Sequence, residues 1–230
     1  MLSKVKIILH KSSVFLLFSL ITAIIVSTSC LAVSAKPTLI IDPGHGGLDG
    51  GAVATDGTPE SEINLAISQK MFCLAQLFGC NAVLTRESQN LPYPDDTATI
   101  HAKKVWDTQN RVCLINETEN AVLVSVHQNK FPDARPSGTQ VFFGKAETSD
   151  ALALITHQNL LENLCPDNRR MAAPISKNVY LMNHVNCPAI LVECGFLSNP
   201  EETKKLNCDD YRTELALILL SSYLQYLSDI

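Results

Sequence analysis

The feature that most constrains the fold is an alternation. Short apolar runs rich in β-branched or aromatic residues recur down the chain, separated by longer segments with helical spacing. The runs are Thr38–Ile41, Ala82–Thr85, Ala121–Val126, Gln140–Phe143 and Ala189–Val192. Runs this short and this apolar suit buried strands. Between them, apolar residues return every three or four positions over Pro59–Phe78, as at Ile63, Ile67, Leu74 and Phe78. The same spacing appears around Lys103–Ile115, Ala151–Leu164 and Tyr211–Leu227. Strands apolar along their whole length need cover on both faces, and intervening helices supply it. The expectation is an α/β fold: a mainly parallel twisted sheet with helices on both faces. No repeat or low-complexity tract divides residues 36–230, so they read as a single domain.

The first 35 residues follow another rule. Lys4, Lys6, His10 and Lys11 precede the largely apolar run Val14–Val26, and the segment closes on Val33-Ser34-Ala35. Thirteen helical residues span about 20 Å, short of the roughly 30 Å hydrocarbon core. Residues 1–35 are therefore expected to be a cleaved signal peptide, leaving an exported chain that is extracellular or wall-associated. Membrane contact would come only through this segment before cleavage. Cys30 would leave with it, and the seven remaining cysteines show no C-x-x-C spacing, so a cysteine zinc site is unsupported. Cys73, Cys113 and Cys194 fall in apolar runs and read as small core residues.

Charge excludes one class of partner. From Lys36 onward 15 basic residues face 23 acidic ones, a net −8. Without a basic stripe, such a surface has little counterion release to offer, and no nucleic-acid partner is expected. A polymer must be recognised by local contacts.

Six of the ten glycines fall between Gly44 and Gly57, directly after the first apolar run. So dense a loop lets backbone approach a ligand closely. It lacks the Lys-Ser/Thr ending of a phosphate loop and the spacing of a dinucleotide fingerprint. Three polar residues end apolar runs or follow just beyond them, where open α/β sheets place ligands. His45 follows Thr-Leu-Ile-Ile-Asp-Pro-Gly, His127 follows Val-Leu-Val-Ser-Val, and Glu193 follows Ala-Ile-Leu-Val. A single such histidine is most simply a solvated strand end. A carboxylate closing an apolar run is different, because burial is costly unless a partner is present. Two imidazoles and one carboxylate with an open fourth position form the pattern of a catalytic zinc.

Ile41-Asp42-Pro43-Gly44-His45-Gly46-Gly47, followed by Asp49 and Gly51-Ala52, resembles the opening motif of the zinc-dependent N-acetylmuramoyl-L-alanine amidases, a family of bacterial cell-wall hydrolases. Glu60-x-x-x-Asn64-Leu65 resembles the second motif and Leu84-Thr85-Arg86 the third. Ser125-Val126-His127-x-Asn129 and Val192-Glu193-x-Gly195-Phe196-Leu197-Ser198-Asn199 complete the series in the family's order. The resemblance implies hydrolysis of the amide between N-acetylmuramic acid and L-alanine, with peptidoglycan (a glycan strand with its stem peptide) as partner. It implies Zn2+ as cofactor, His45, Glu60 and His127 as its ligands, and Glu193 as the catalytic glutamate and general base. Similarity is strongest to sporulation- and germination-associated members, through His127-x-Asn129-Lys130-Phe131-Pro132 and Gly138-x-Gln140-Val141-Phe142-Phe143, which implies a role in spore cortex and muramic lactam. Gln128 departs from the small residue many relatives carry there. No activating protein partner is indicated.

Helix geometry separates two carboxylates. With Thr58 as N-cap and Pro59 as first helical residue, Glu60 shares a face with Ile63 and Ile67, while Glu62 lies about 200° around. Glu60 is thus expected inside and Glu62 outside. His101, His157 and His184 match no motif and read as surface or structural residues; Trp106 reads as packing, and Asp42 as orienting the backbone of the His45 loop. Two other functions remain open at this point. They are a secreted zinc peptidase acting on free peptides, and a wall-binding domain without turnover.

Overall fold

The strand–helix alternation closes into one six-stranded sheet of order β2-β1-β3-β6-β4-β5. The computed structural model describes residues 36–229 apart from 96 and 98, so the expected signal segment lies outside the described residues. The strands are β1 (Thr38–Pro43), β2 (Asn81–Leu84), β3 (Ala121–Asn129), β4 (Gln140–Phe143), β5 (Ala173–Pro174) and β6 (Ala189–Phe196). The helices are α1 (Glu60–Leu77), α2 (Ile100–Glu117), α3 (Ser149–Asn163), α4 (Tyr180–His184), α5 (Pro200–Leu206) and α6 (Asp209–Asp229). β2, β1, β3 and β6 run parallel. β4 lies antiparallel to β6, pairing Gln140 with Glu193. The mainly parallel sheet expected from the sequence is what forms.

Side chains alternate across this sheet, as strand geometry requires. Leu39, Ile41, Val122, Val124, Val126, Ile190 and Val192 enter the larger core, which α1, α3 and α6 cover. Ile40, Leu123, Ala189 and Leu191 enter a smaller one on the opposite face, with Ile115 of α2 and Leu181 and Met182 of α4. Both faces are therefore covered, unequally. The thinner α2–α4 side leaves space near the carboxyl ends of β1, β3 and β6.

Local chemistry sets several element boundaries. Asn199 caps α5 by accepting from the amides of Glu201 and Glu202, with Pro200 following in the first turn. Thr99 caps α2 through Ala102. At α1 the N-cap is Pro59 and no side chain caps it. The Thr58 hydroxyl oxygen instead accepts from Asn207 Nδ2. β3 and β6 run beyond their apolar runs, because pairing continues through His127↔Glu193 to Asn129↔Phe196, with a register shift between. Two cysteine assignments need correction. Cys194 is buried, but Cys73 and Cys113 are exposed. Each stands two residues from a buried position (Met71; Arg111 and Ile115), about 200° around its helix. Among the described residues no helix is long and apolar enough to cross a membrane.

Candidate metal centre

Three elements deliver the candidate ligands. His45 lies in the glycine loop after β1, Glu60 opens α1, and His127 sits near the end of β3. One donor atom from each falls within 4.8 Å of the others. The orientation expected from helix geometry holds: Glu60 is only 3% exposed, whereas Glu62 faces solvent.

Glu60 is the hub. Its Oε1 lies 3.0 Å from His127 Nδ1 and its Oε2 lies 3.3 Å from His45 Nε2. Oε1 also accepts from the Gln128 amide at 3.1 Å and Asn64 Nδ2 at 3.3 Å, and Oε2 accepts from the Ala52 amide at 2.9 Å. Burial alone would raise the Glu60 pKa, but hydrogen bonds to His127 and His45 outweigh it and hold the carboxyl far below its usual range. A buried carboxylate ringed by two imidazoles fits a divalent cation of zinc's preferences. His45 meets a further requirement of such a site, since its Nδ1 is 2.9 Å from Asp49 Oδ2, which turns Nε2 toward Glu60. Burial works against a charged His45, yet Asp49 and Glu60 raise its pKa to about 9.

The loop that carries His45 is held under strain. His45 has φ 60°, uncommon for a residue with a side chain. Gly51 is needed beside it, because it has φ +69° and an added Cβ would stand 2.6 Å from Glu60 Oε2. Two buried arginines grip the loop's carbonyls. Arg86 donates to Pro43 O at 2.9 Å and to Gly44 O at 3.0 Å. Arg111 donates to Pro43 O at 2.7 Å and to His45 O. Asp42 does not bind backbone. Its carboxylate takes Arg111 Nη1 at 3.0 Å and the hydroxyls of Thr85 and Ser125 at 2.6 Å each. It orients the loop through Arg111. Burial would raise the Asp42 pKa, but Arg111 and the two hydroxyls bring it below its usual value.

Glu193 stands opposite His127 across the β3–β6 pair. The residue is half-buried, and its Oε2 is enclosed without a hydrogen-bond partner. Burial pushes its carboxyl up to about 7, with His127 pulling the other way. A carboxyl poised there exchanges protons near neutrality, as a general base must. Gln128 points away from this space; its Nε2 reaches Asn64 Oδ1 on the α1 side.

Arg111 and Tyr180 are the residues the sequence reading passed over. Arg111 carried a signal, because Asp107-x-x-x-Arg111 is a charged pair four apart on the stripe that also holds buried Ile115. Among the described residues the other histidines stay outside the centre. His101 is exposed, His157 is buried in α3, and His184 stacks on Tyr180. Trp106 meets Tyr93 edge-on at 5.6 Å, a packing contact.

Residues 39–220 match the family model described as N-acetylmuramoyl-L-alanine amidase. The chain is 33% identical over 192 residues to the germination-specific N-acetylmuramoyl-L-alanine amidase of Bacillus subtilis, covering 83% of this chain and 80% of that protein. Among solved structures it is similar to the CwlD amidase from Clostridioides difficile in complex with the GerS lipoprotein. That likeness has a TM-score of 0.81 at 33% identity, over 85% of this chain and 100% of that one. The amidase AmiC2 of Nostoc punctiforme gives a TM-score of 0.71 at 26% identity, over 85% and 99%.

Proposed function

Since the chain belongs to the N-acetylmuramoyl-L-alanine amidase family, enzymes of peptidoglycan cleavage, we propose that it does its work as an exported zinc hydrolase, with His45, Glu60 and His127 as ligands and Glu193 as general base. One observation supports the reading most: a His–Glu–His donor triangle within 4.8 Å stands beside a half-buried carboxylate that lacks a partner on one oxygen. Bound zinc would supply a Lewis acid that lowers the pKa of water and polarises the scissile carbonyl.

The protein's own groups account for the remaining chemistry. Asp49 fixes which nitrogen of His45 faces the centre. Arg86 and Arg111 keep the His45 loop in its strained conformation, so the ligands are placed before substrate arrives. Glu193 accepts the proton of the attacking water and returns it to the departing L-alanine nitrogen. Its elevated pKa suits both halves of that transfer.

The germination-specific relative from Bacillus subtilis supports a narrower role in spore peptidoglycan, with the cortex and its muramic lactam as the site of action. The test is digestion of purified peptidoglycan by the protein, with and without a chelator, followed by mass spectrometry of the fragments. The reading expects stem peptides released with a free L-alanine amine, lost on chelation and regained with zinc. Release only by cuts within the peptide would overturn it.

A further inference from the structure

Strand alternation shows which side of the sheet a substrate must approach. Val126 and Val192 point into the larger core. Their neighbours His127 and Glu193 therefore point to the α2–α4 face, as do Ser125 and Leu191 two residues earlier. On that face a cavity of about 200 Å3 is lined by His45 and His127, by Asp107 and Thr108 of α2 and by Tyr180 of α4.

Tyr180 is an unusual wall for such a cavity. It is 45% exposed, although its side chain is large and mostly apolar. Its ring lies nearly parallel to that of His184, at 3.8 Å between centroids and 17° between planes. His184 is fixed in turn, since its Nδ1 donates to Tyr180 O at 2.8 Å. With one face of the ring covered by His184, the exposed area lies on the other face and the edges. The result is a rigid flat apolar surface, prepared in advance, at the edge of the cavity that holds both histidines.

The rest of the cavity indicates what the surface receives. A pyranose ring presents C–H groups on a face and hydroxyls around its rim, so it pairs an aromatic platform with polar acceptors. Asp107 and Thr108 provide acceptors; the Thr108 hydroxyl already donates to Lys104 O and keeps lone pairs free. A stem peptide, which carries carboxylates, fits less well. The cations here are engaged, Arg111 by Asp42 and Asp107, and Lys104 by Asp49. We propose that Tyr180, stacked on His184, is the platform for the N-acetylmuramic acid ring, so that the glycan strand lies across the α2–α4 face while the scissile amide reaches Glu193. This rests on the amidase reading given above and adds a sugar subsite to it.

Two substrates separate the possibilities: a glycan fragment bearing the stem peptide, and the same peptide carrying only a lactoyl group. Tyr180→Ala should raise KM for the glycan substrate about three- to tenfold, the scale of one lost ring stack, with kcat within twofold. It should leave the lactoyl-peptide unchanged. Tyr180→Phe should restore the wild-type value, and His184→Ala should fall between. Equal effects on both substrates, or none on either, would overturn the assignment. A peptide-free N-acetylglucosaminyl–N-acetylmuramic acid disaccharide, titrated into the protein and followed by Trp106 fluorescence or chemical shifts, decides independently of turnover. Weaker binding by Tyr180→Ala supports the platform, and equal binding refutes it. If the wild type binds the disaccharide but cleaves neither substrate, the amidase reading fails and the sugar site stands.

Discussion

Replacing Arg111 with Met would test whether the buried ionic network under the metal centre is structural scaffolding or incidental. Arg111 is 5% exposed and its guanidinium serves Asp42, Asp107 and the carbonyls of Pro43 and His45. Met keeps much of the side-chain volume, so packing loss is small. What remains is Asp42, 1% exposed, with two hydroxyls but no cation. Breaking a buried pair by removing one partner costs about 3–5 kcal/mol. Pro43 O keeps its bond from Arg86, while the His45 carbonyl left without Arg111 adds on the order of 1–3 kcal/mol; these groups share one network and their costs do not add. An expected loss of about 3–5 kcal/mol corresponds to a fall in Tm of roughly 6–20 °C for a domain of this size. The assay is urea unfolding of the chelator-treated protein, which keeps metal linkage out of the comparison. Asp42→Asn combined with Arg111→Met should recover part of the loss, because the more deeply buried of the two carboxylates that Arg111 pairs is then neutral and only Asp107 is left without its cation. Lys104→Ala is the control. It removes an ion pair to Asp49 from a lysine that is 50% exposed and should cost under about 1 kcal/mol. A loss below about 1 kcal/mol for Arg111→Met would refute the claim that this network holds the loop.

Glu60→Ala should abolish zinc binding and activity together, whereas Glu62→Ala should leave both near wild type; isothermal titration with zinc and a muropeptide assay would show it, and the reverse pattern would sink the ligand assignment. The Asp42 carboxyl is depressed in the folded state, so the stability it contributes is present above its unfolded pKa of about 3.9 and lost as pH falls through the lower folded value. Unfolding free energy of the chelated protein should therefore drop below about pH 4, and less steeply in Asp42→Asn; identical slopes would remove Asp42 from the account.

Much of this molecule was legible because one physical pattern served both fold and site. The strands announced themselves by being apolar, and the centre by the points where that apolarity stops, at His127 and Glu193. The same fact hid the true ends of β3 and β6. Pairing runs on to Asn129 and Phe196, but polar side chains there broke the pattern used to find strands. Glu60 was separable from Glu62 because a helix has a fixed angular step. Cys73 and Cys113 were misplaced for the converse reason: membership of an apolar run was weighed above position on the helix face. β5 and α4 span two and five residues, too short for any period to show. Arg86 stands in the third motif and Arg111 is marked by its pair with Asp107, but the backbone carbonyls they grip lie far away in sequence, and nothing local names those partners.

The most direct test of the central claim is Glu193→Gln, measured for zinc content and for turnover on the same preparation. If Glu193 moves protons and does not hold the metal, the variant keeps about one zinc per chain, by the three-ligand pattern of catalytic sites. Its rate of L-alanine release should fall on the order of a hundredfold or more. His127→Ala, run alongside, should lose zinc and activity together. Zinc lost from Glu193→Gln as completely as from His127→Ala, or activity retained in it, would contradict the division of roles on which the account stands.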